Sequence, residues 1–273
     1  MAITTLDGYI GASKFRLTWM KTGTRTLVAA MPFTVFDIAG SPGAGTLAIG
    51  NTANGTVPTD ALAGYPIIPT FSGGTGYLSR VEFGSSVPCC FDLYDRLFAA
   101  GAYSYAAGTT TLSSQPSFSS RLPNAGVYNG LQAWIEVTTA FVTGTAWTVH
   151  ITYTDQDGNA GAVGADLPTM AAAALTLGRC YQLPLAAGDS GIQKLESVVV
   201  TNGGTAMTAG AFNVSILRPL WFGRVTTANG GDVHDLLRTG FPKIFEDSAL
   251  YVLLYADSTA VGLPDITLQV AFG

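Results

Sequence analysis

Gly188-Asp189-Ser190-Gly191 holds the sharpest chemical suggestion in this 273-residue chain, because GDSG is the setting of a serine-protease nucleophile, where neighbouring backbone amides form the oxyanion hole. That chemistry needs a histidine and then an aspartate well upstream. His150 is the only histidine before Ser190, and it lies within the strand-like WTVHITY. The 40 residues between the two would have to supply the aspartate and most of a second barrel, so the stretch reads as a hairpin turn between Leu185 and Ile192.

Asp155, Asp157 and Asn159 match the first three oxygen positions of a calcium loop, with Asp166 at the twelfth. Ala160 stands where that loop needs glycine, and Asp157-Gly158 is itself a strong turn signal, so a plain turn is expected. GSPGAGT at 40–46 has the glycines of a phosphate cradle but neither its lysine nor its following helix. Asn54-Gly55-Thr56 and Asn213-Val214-Ser215 fit the glycosylation pattern, which carries weight only in a secreted chain. His234 lies between Asp232 and Asp235, acids that would hold it charged. Asp92 and Asp95 are three apart in a strand, so they face opposite sides and do not converge. Trp134, Tyr153 and Trp221 would make a stacking surface for a glycan if they were exposed together, but aromatic residues more commonly fill cores. No catalytic, cofactor-binding or metal-binding residue is assigned on these grounds; no cofactor is expected, and the chain does not read as an enzyme.

The elements that would position these groups are strands. In residues 131–153, Leu131, Ala133, Ile135 and Val137 alternate with Gln132, Trp134 and Glu136, then Trp147, Val149, Ile151 and Tyr153 alternate with Thr148, His150 and Thr152. With Thr143-Gly144-Thr145 between them, the two runs predict a hairpin. Further strands are predicted at 77–83, 89–97, 180–185, 194–201, 212–220, 250–255 and 266–272. Residues 232–240, DVHDLLRTG, predict a helix capped by Asp232 and stopped at Gly240. Residues 1–22 read as an arm, either a short helix from Asp7 through Trp19 or an extended, partner-bound segment. A strand pair broken at Pro32 is expected over 25–38. Residues 39–76, rich in Gly, Pro, Asn and Thr, read as short strands and turns laid against another surface. The expectation is an all-β chain: a jelly-roll-like β-sandwich over residues 77–273, one or two short helices, and an N-terminal arm with a Gly/Pro-rich interaction segment over 1–76.

Charged residues make up 11% of the chain and mean hydropathy is +0.33, too apolar a balance for the surface of an isolated soluble monomer. No run reaches the roughly 20 apolar residues of a membrane helix, and the start lacks a basic segment followed by an apolar stretch, so neighbouring subunits rather than lipid are expected to cover this surface. A net charge of −5 with dispersed Lys and Arg argues against nucleic acid. Cys89, Cys90 and Cys180 have no framework spacing and are expected as free thiols in a reducing compartment.

The stretches VFDIAGSPGAGTLAIGNTANGTVPTDALAGYP, GYLSRVEFGSSVPCCFDLYDRLFAAGAYSY, GRCYQLPLAAGDSGIQKLESV, LRPLWFGRV and GDVHDLLRTG resemble a family of tailed-bacteriophage structural proteins, among its head-completion and decoration members, over most of the chain. The resemblance implies a virion component assembled in the host bacterial cytoplasm: a capsid decoration or cement protein that binds the major capsid protein and its own copies, a trimer foremost. It supplies no catalytic residue. The alternative is a tail or baseplate component that recognises host-surface glycan through Trp134 or Trp221.

Overall fold

Alternating apolar and polar residues turn most of the predicted segments into strands. The computed structural model describes residues 3–25, 31–71, 74–144, 147–170, 172–202, 207–256 and 262–273. In chain order the elements are α1 (Leu6–Gly11), β1 (Ser13–Lys21), β2 (Pro32–Phe33), β3 (Gly40–Ser41), β4 (Gly76–Ser85), β5 (Cys89–Ser104), β6 (Gly108–Thr111), β7 (Gln132–Val142) and β8 (Trp147–Asp155). They continue with β9 (Ala162–Val163), β10 (Cys180–Leu183), β11 (Ile192–Asn202), β12 (Ala209–Val225), β13 (Gly230–His234), α2 (Leu236–Thr239), β14 (Lys243–Ile244), β15 (Leu250–Ala256) and β16 (Pro264–Phe272). The all-β expectation, with two short helices, holds.

Where a single sandwich was expected after residue 76, the chain divides into two units of nearly equal length, and the cut falls elsewhere. The first comprises residues 1–46, 59–95 and 220–273; the second comprises residues 47–58 and 96–219. Long strands β5 and β12 each supply residues to both. Each unit closes its own core.

In the first unit, one antiparallel sheet runs β13-β4-β16-β1-β3, with β14 also on β4. Leu17 and Trp19 of β1, Leu78 and Val81 of β4 and Leu268 of β16 pack against Phe91 and Leu93 of β5 and Val252 and Leu254 of β15. The predicted helix through Trp19 therefore stops early. Thr5 caps α1 by accepting from the Gly8 amide at 3.0 Å, and from Ser13 the period changes from 3.6 to 2. Residues 13–21 are an inner strand, paired with β16 over Ser13–Met20 and with β3 at Met20 and Lys21, because their alternate residues can face a core that a free arm would leave wet. The strand pair expected over 25–38 falls partly on residues 26–30, outside the described residues; beyond them, β2 pairs with β15.

In the second unit, β6-β11-β8-β9 form one sheet, and β10, β7, β12 and the latter part of β5 form the other. Here the predicted hairpin is corrected. β7 pairs with β10 and β12, whereas β8 pairs with β11 and β9, so the two runs belong to different sheets. Ala133, Ile135 and Val137 meet Trp147, Val149, Ile151 and Tyr153 in one core, and the Phe141 and Trp147 rings meet edge-on at 5.0 Å. Two strands that each carry one strongly apolar face bury more by placing those faces against each other across a sandwich than by lying side by side in one sheet. Thr143 (φ 52°) and Gly144 (φ 93°) turn the chain between sheets; Thr145 lies outside the described residues.

The Gly/Pro-rich segment is laid on the chain's own sheets. In the second unit, Thr56 bridges to Ala99 of β5 by reciprocal backbone hydrogen bonds of 2.8 and 3.0 Å. Gly50 (φ 78°) passes so close that a Cβ would stand 2.6 Å from the Ala99 carbonyl oxygen, and a Cβ on Gly55 (φ 67°) would strike the Phe98 ring. In the first unit, Tyr65 packs on Phe36, ring to ring at 4.7 Å, and Phe36 on Tyr251 of β15 at 5.8 Å.

Candidate functional site

The sequence offers several chemical constellations, and the structure gives their side chains other partners. Ser190 Oγ accepts from Asn129 Nδ2 at 2.9 Å, and the Ser190 amide donates to Gln156 Oε1 at 2.9 Å. His150 stands opposite Val199 on β11, while Asp155, at the end of the same strand β8, stands opposite Ile192. Five residues of strand, about 16 Å, thus separate the histidine from the end of β8 nearest the serine. His150 Nδ1 pairs with Asp166 Oδ1 at 2.7 Å, and Asp189 Oδ2 accepts from the Tyr153 hydroxyl at 2.5 Å. The histidine thus has an acid partner in Asp166, but Ser190 bonds to Asn129 and Gln156 instead, so the pair does not activate it.

The Asp155 loop is closed on itself. Asp155 Oδ1 accepts from the amides of Asp157 (2.8 Å) and Asn159 (2.9 Å), and Oδ2 accepts from Asn159 Nδ2 at 2.8 Å. The Asn159 side chain, foremost, and these amides hold the Asp155 carboxyl below the usual carboxylate range. Gly158 takes φ 90°, and Asp166 is committed to His150. This is an Asx-stabilised turn in which the first acid serves backbone donors. No group of three or more His, Cys, Asp or Glu side chains suited to a metal ion occurs among the described residues.

The glycine loop at 40–46 does meet a lysine. Lys21 Nζ donates to the carbonyl oxygens of Pro42 (2.8 Å) and Gly43 (3.1 Å), so carbonyls, not phosphates, receive it; burial pulls its pKa down to about 8. Asn213 is wholly buried, and its Nδ2 donates to the Leu47 carbonyl, which removes it as a glycosylation acceptor in the folded chain. Asp95 accepts from Ser248 Oγ at 2.9 Å and from the Ala249 amide at 3.1 Å. Asp92 has the hydroxyls of Tyr255 and Tyr94 as donors, and burial raises its pKa against their effect. Trp134, Tyr153 and Trp221 are all buried, Tyr153 in the second unit's core and Trp221 in the first unit's, so the glycan-stacking surface is not formed.

The helix predicted at 232–240 is shorter. Residues 230–234 pair with β4, where Val233 stands opposite Glu82. Asp235, not Asp232, is the cap, accepting from the amides of Leu237 (3.0 Å) and Arg238 (3.2 Å), and Gly240 closes α2 in the left-handed region at φ 70°. Asp232 accepts from its neighbour's amide, Val233, at 2.7 Å and from Arg238 Nη1 at 3.1 Å. These donors lower its pKa.

Two features escaped the sequence reading. In the second unit, buried Arg96 pairs with buried Glu136 and donates from Nε to Ser215 Oγ at 2.9 Å, while buried Arg121 donates to the carbonyls of Pro58 and, at 2.7 Å, Arg96. The signal was an apolar run in β5 interrupted by Asp92 and by the adjacent pair Asp95-Arg96, the pattern of a strand covered on both faces. In the first unit, α1 and α2 border an apolar cavity of about 510 Å³ lined by Leu6, Tyr9, Leu236, Leu237 and Phe241 among others, with Leu6 66% and Leu237 82% exposed. Short helices with apolar outward residues have no sequence signature of their own.

No family model and no curated protein matches the chain. Among solved structures, infectious bursal disease virus, Gx strain, aligns over 96% of this chain and 80% of that chain at 10% identity and a TM-score of 0.21. The VP2 subviral particle of infectious bursal disease virus aligns over 95% and 80% at 8% identity and a TM-score of 0.22. A structure described as the triple jelly roll fold and turret assembly in an archaeal virus aligns over 82% and 90% at 9% identity and a TM-score of 0.15. All three come from viruses, but TM-scores this low lie below those of chains that share a fold, and neither fold nor function follows from them.

Proposed function

We propose that this chain is a virion structural protein, a decoration protein that attaches to the major capsid protein of a tailed bacteriophage and to its own copies and so stabilises the shell. The observation that carries this reading is the apolar surface around α1 and α2, where Leu6 and Leu237 stand exposed at the rim of an apolar cavity in a chain with only 11% charged residues. Exposed apolar area of this kind is stabilised by being covered, and a neighbouring subunit covers it without a catalytic group. The sequence resemblance supports the head of the particle as the place, with assembly in the host bacterial cytoplasm and a trimer as the first arrangement to test. On a repeating lattice, modest contacts multiply through avidity.

The test is co-sedimentation of the purified protein with capsids that lack it, alongside the double variant Leu6→Ser/Leu237→Ser. Saturable binding by the native chain, weakened in the variant, supports the reading. Absence of capsid binding, or attachment only to tails or to host cells, sinks it.

A further inference from the structure

The β13–α2 corner is held to the first unit's core through a histidine whose hydrogen bonding admits only one protonation state. Trp221 Nε1 on β12 donates to His234 Nδ1 at 2.9 Å, and the Phe83 ring of β4 meets both rings edge-on, at 4.8 Å from Trp221 and 5.0 Å from His234. An indole N–H only donates, so Nδ1 must be the bare nitrogen and Nε2 carries the proton, directed at Asp232 Oδ2 3.5 Å away. Adding a proton to Nδ1 sets two donors against each other and leaves the buried indole N–H without an acceptor.

We propose that His234 is a proton-operated latch: the neutral ring fastens the β13–α2 corner to Trp221, and protonation releases it. The corner includes Leu236 and Leu237, which form one side of the apolar cavity beside α1, so the latch governs the shape of that surface. The charged groups around the ring are Asp232 on β13 and Asp235 and Arg238 on α2; Phe83 and Trp221, from β4 and β12, bring none. Asp232 is shared rather than dedicated to the ring, because Arg238 Nη1 donates to the same oxygen at 3.1 Å. Burial first, then Arg238, lowers the pKa of His234, with Asp232 and Asp235 acting in the opposite sense. The sign follows. The latch contributes its full stability above the ordinary histidine value of about 6.5, and loses it as pH falls from there through the lower folded value.

The experiment is nuclear magnetic resonance of the full chain, labelled at imidazole and indole nitrogen, from about pH 7.5 to about pH 5, the range in which histidine acts. The expected result is a neutral His234 with its proton on Nε2 at the upper end. The Trp221 indole resonance then moves with the same midpoint as His234, and the protection of the amides of residues 230–239, taken against their intrinsic exchange rate at each pH, falls over the same interval. Trp221→Phe removes the donor that protonation opposes and shifts the His234 midpoint upward. His234→Gln keeps an acceptor that does not titrate and abolishes the pH response of both Trp221 and the corner. A proton on Nδ1 at neutral pH, or a Trp221 resonance indifferent to pH while His234 titrates, overturns the proposal. Should His234→Gln fail to fold, the native titration and Trp221→Phe decide alone.

Discussion

The two sandwich units are of similar length and each has its own core, yet they differ in how much charge they bury and how much apolar surface they expose. The second unit buries more charge: Arg96 pairs with Glu136, and Arg121 donates to the Pro58 carbonyl of the segment 47–58, where the first unit buries Lys21 and Asp95. The first unit exposes apolar side chains, among them Leu6, Ile10, Ile67, Phe222 and Leu237. A buried ion pair adds little net stability over an apolar filling, but it penalises every arrangement that leaves one partner alone, and so specifies the packing of the covering segment. Exposed apolar groups contribute nothing until something covers them. The second unit thus carries the features of a self-contained scaffold, and the first unit carries those of a contact surface.

Glu136→Ala tests the scaffold half of this contrast most severely. It strands Arg96 without its countercharge and is expected to cost about 3–5 kcal/mol. Hydrogen exchange should quicken in β7 and β12 of the second unit while β1, β4 and β16 stay protected; uniform loss in both units would erase the distinction. Asp235→Ala removes the α2 cap and is expected to cost about 1 kcal/mol in denaturant unfolding, while loosening the corner beside the apolar cavity. Leu6→Ser with Leu237→Ser is expected to change stability by less than about 0.5 kcal/mol, since neither side chain is buried, and to reduce only association. A large stability loss there would mean that these residues belong to the fold rather than to a contact. The smallest effect is at the Asp155 turn. Its carboxyl is held below its ordinary value, so the turn's contribution is present above that value and lost only as pH falls through the lower folded one. The protection of the Asp157 and Asn159 amides, taken against their intrinsic exchange rate at each pH, should therefore persist below the ordinary carboxylate value in the native chain and be lost at every pH in Asp155→Ala.

Much of the element list was legible because a half-buried strand needs alternation, and β4, β8 and β11 show it plainly. Two chemical suggestions were also readable as turns: Gly158 supplies positive φ in the hairpin between β8 and β9, and Gly188 supplies it in a connection that, against the hairpin expected there, crosses from β10 in one sheet to β11 in the other. Pairing was not legible. Nothing local distinguishes a strand that hydrogen-bonds its successor from one that faces it across a core, and β7 and β8 took the second course because both apolar faces could then be buried together. Nor was the apolar surface legible, since Leu237 read as an ordinary helix residue and Leu6 as part of an arm ahead of one, until the fold left both outside. The sequence by itself determined the strand period, the turns and a surface poor in charge, because these follow from side-chain type and spacing. Only the tertiary structure decided which strands pair, that there are two cores, and which charges are sealed and which apolar groups exposed, because burial depends on what a distant part of the chain brings to each face.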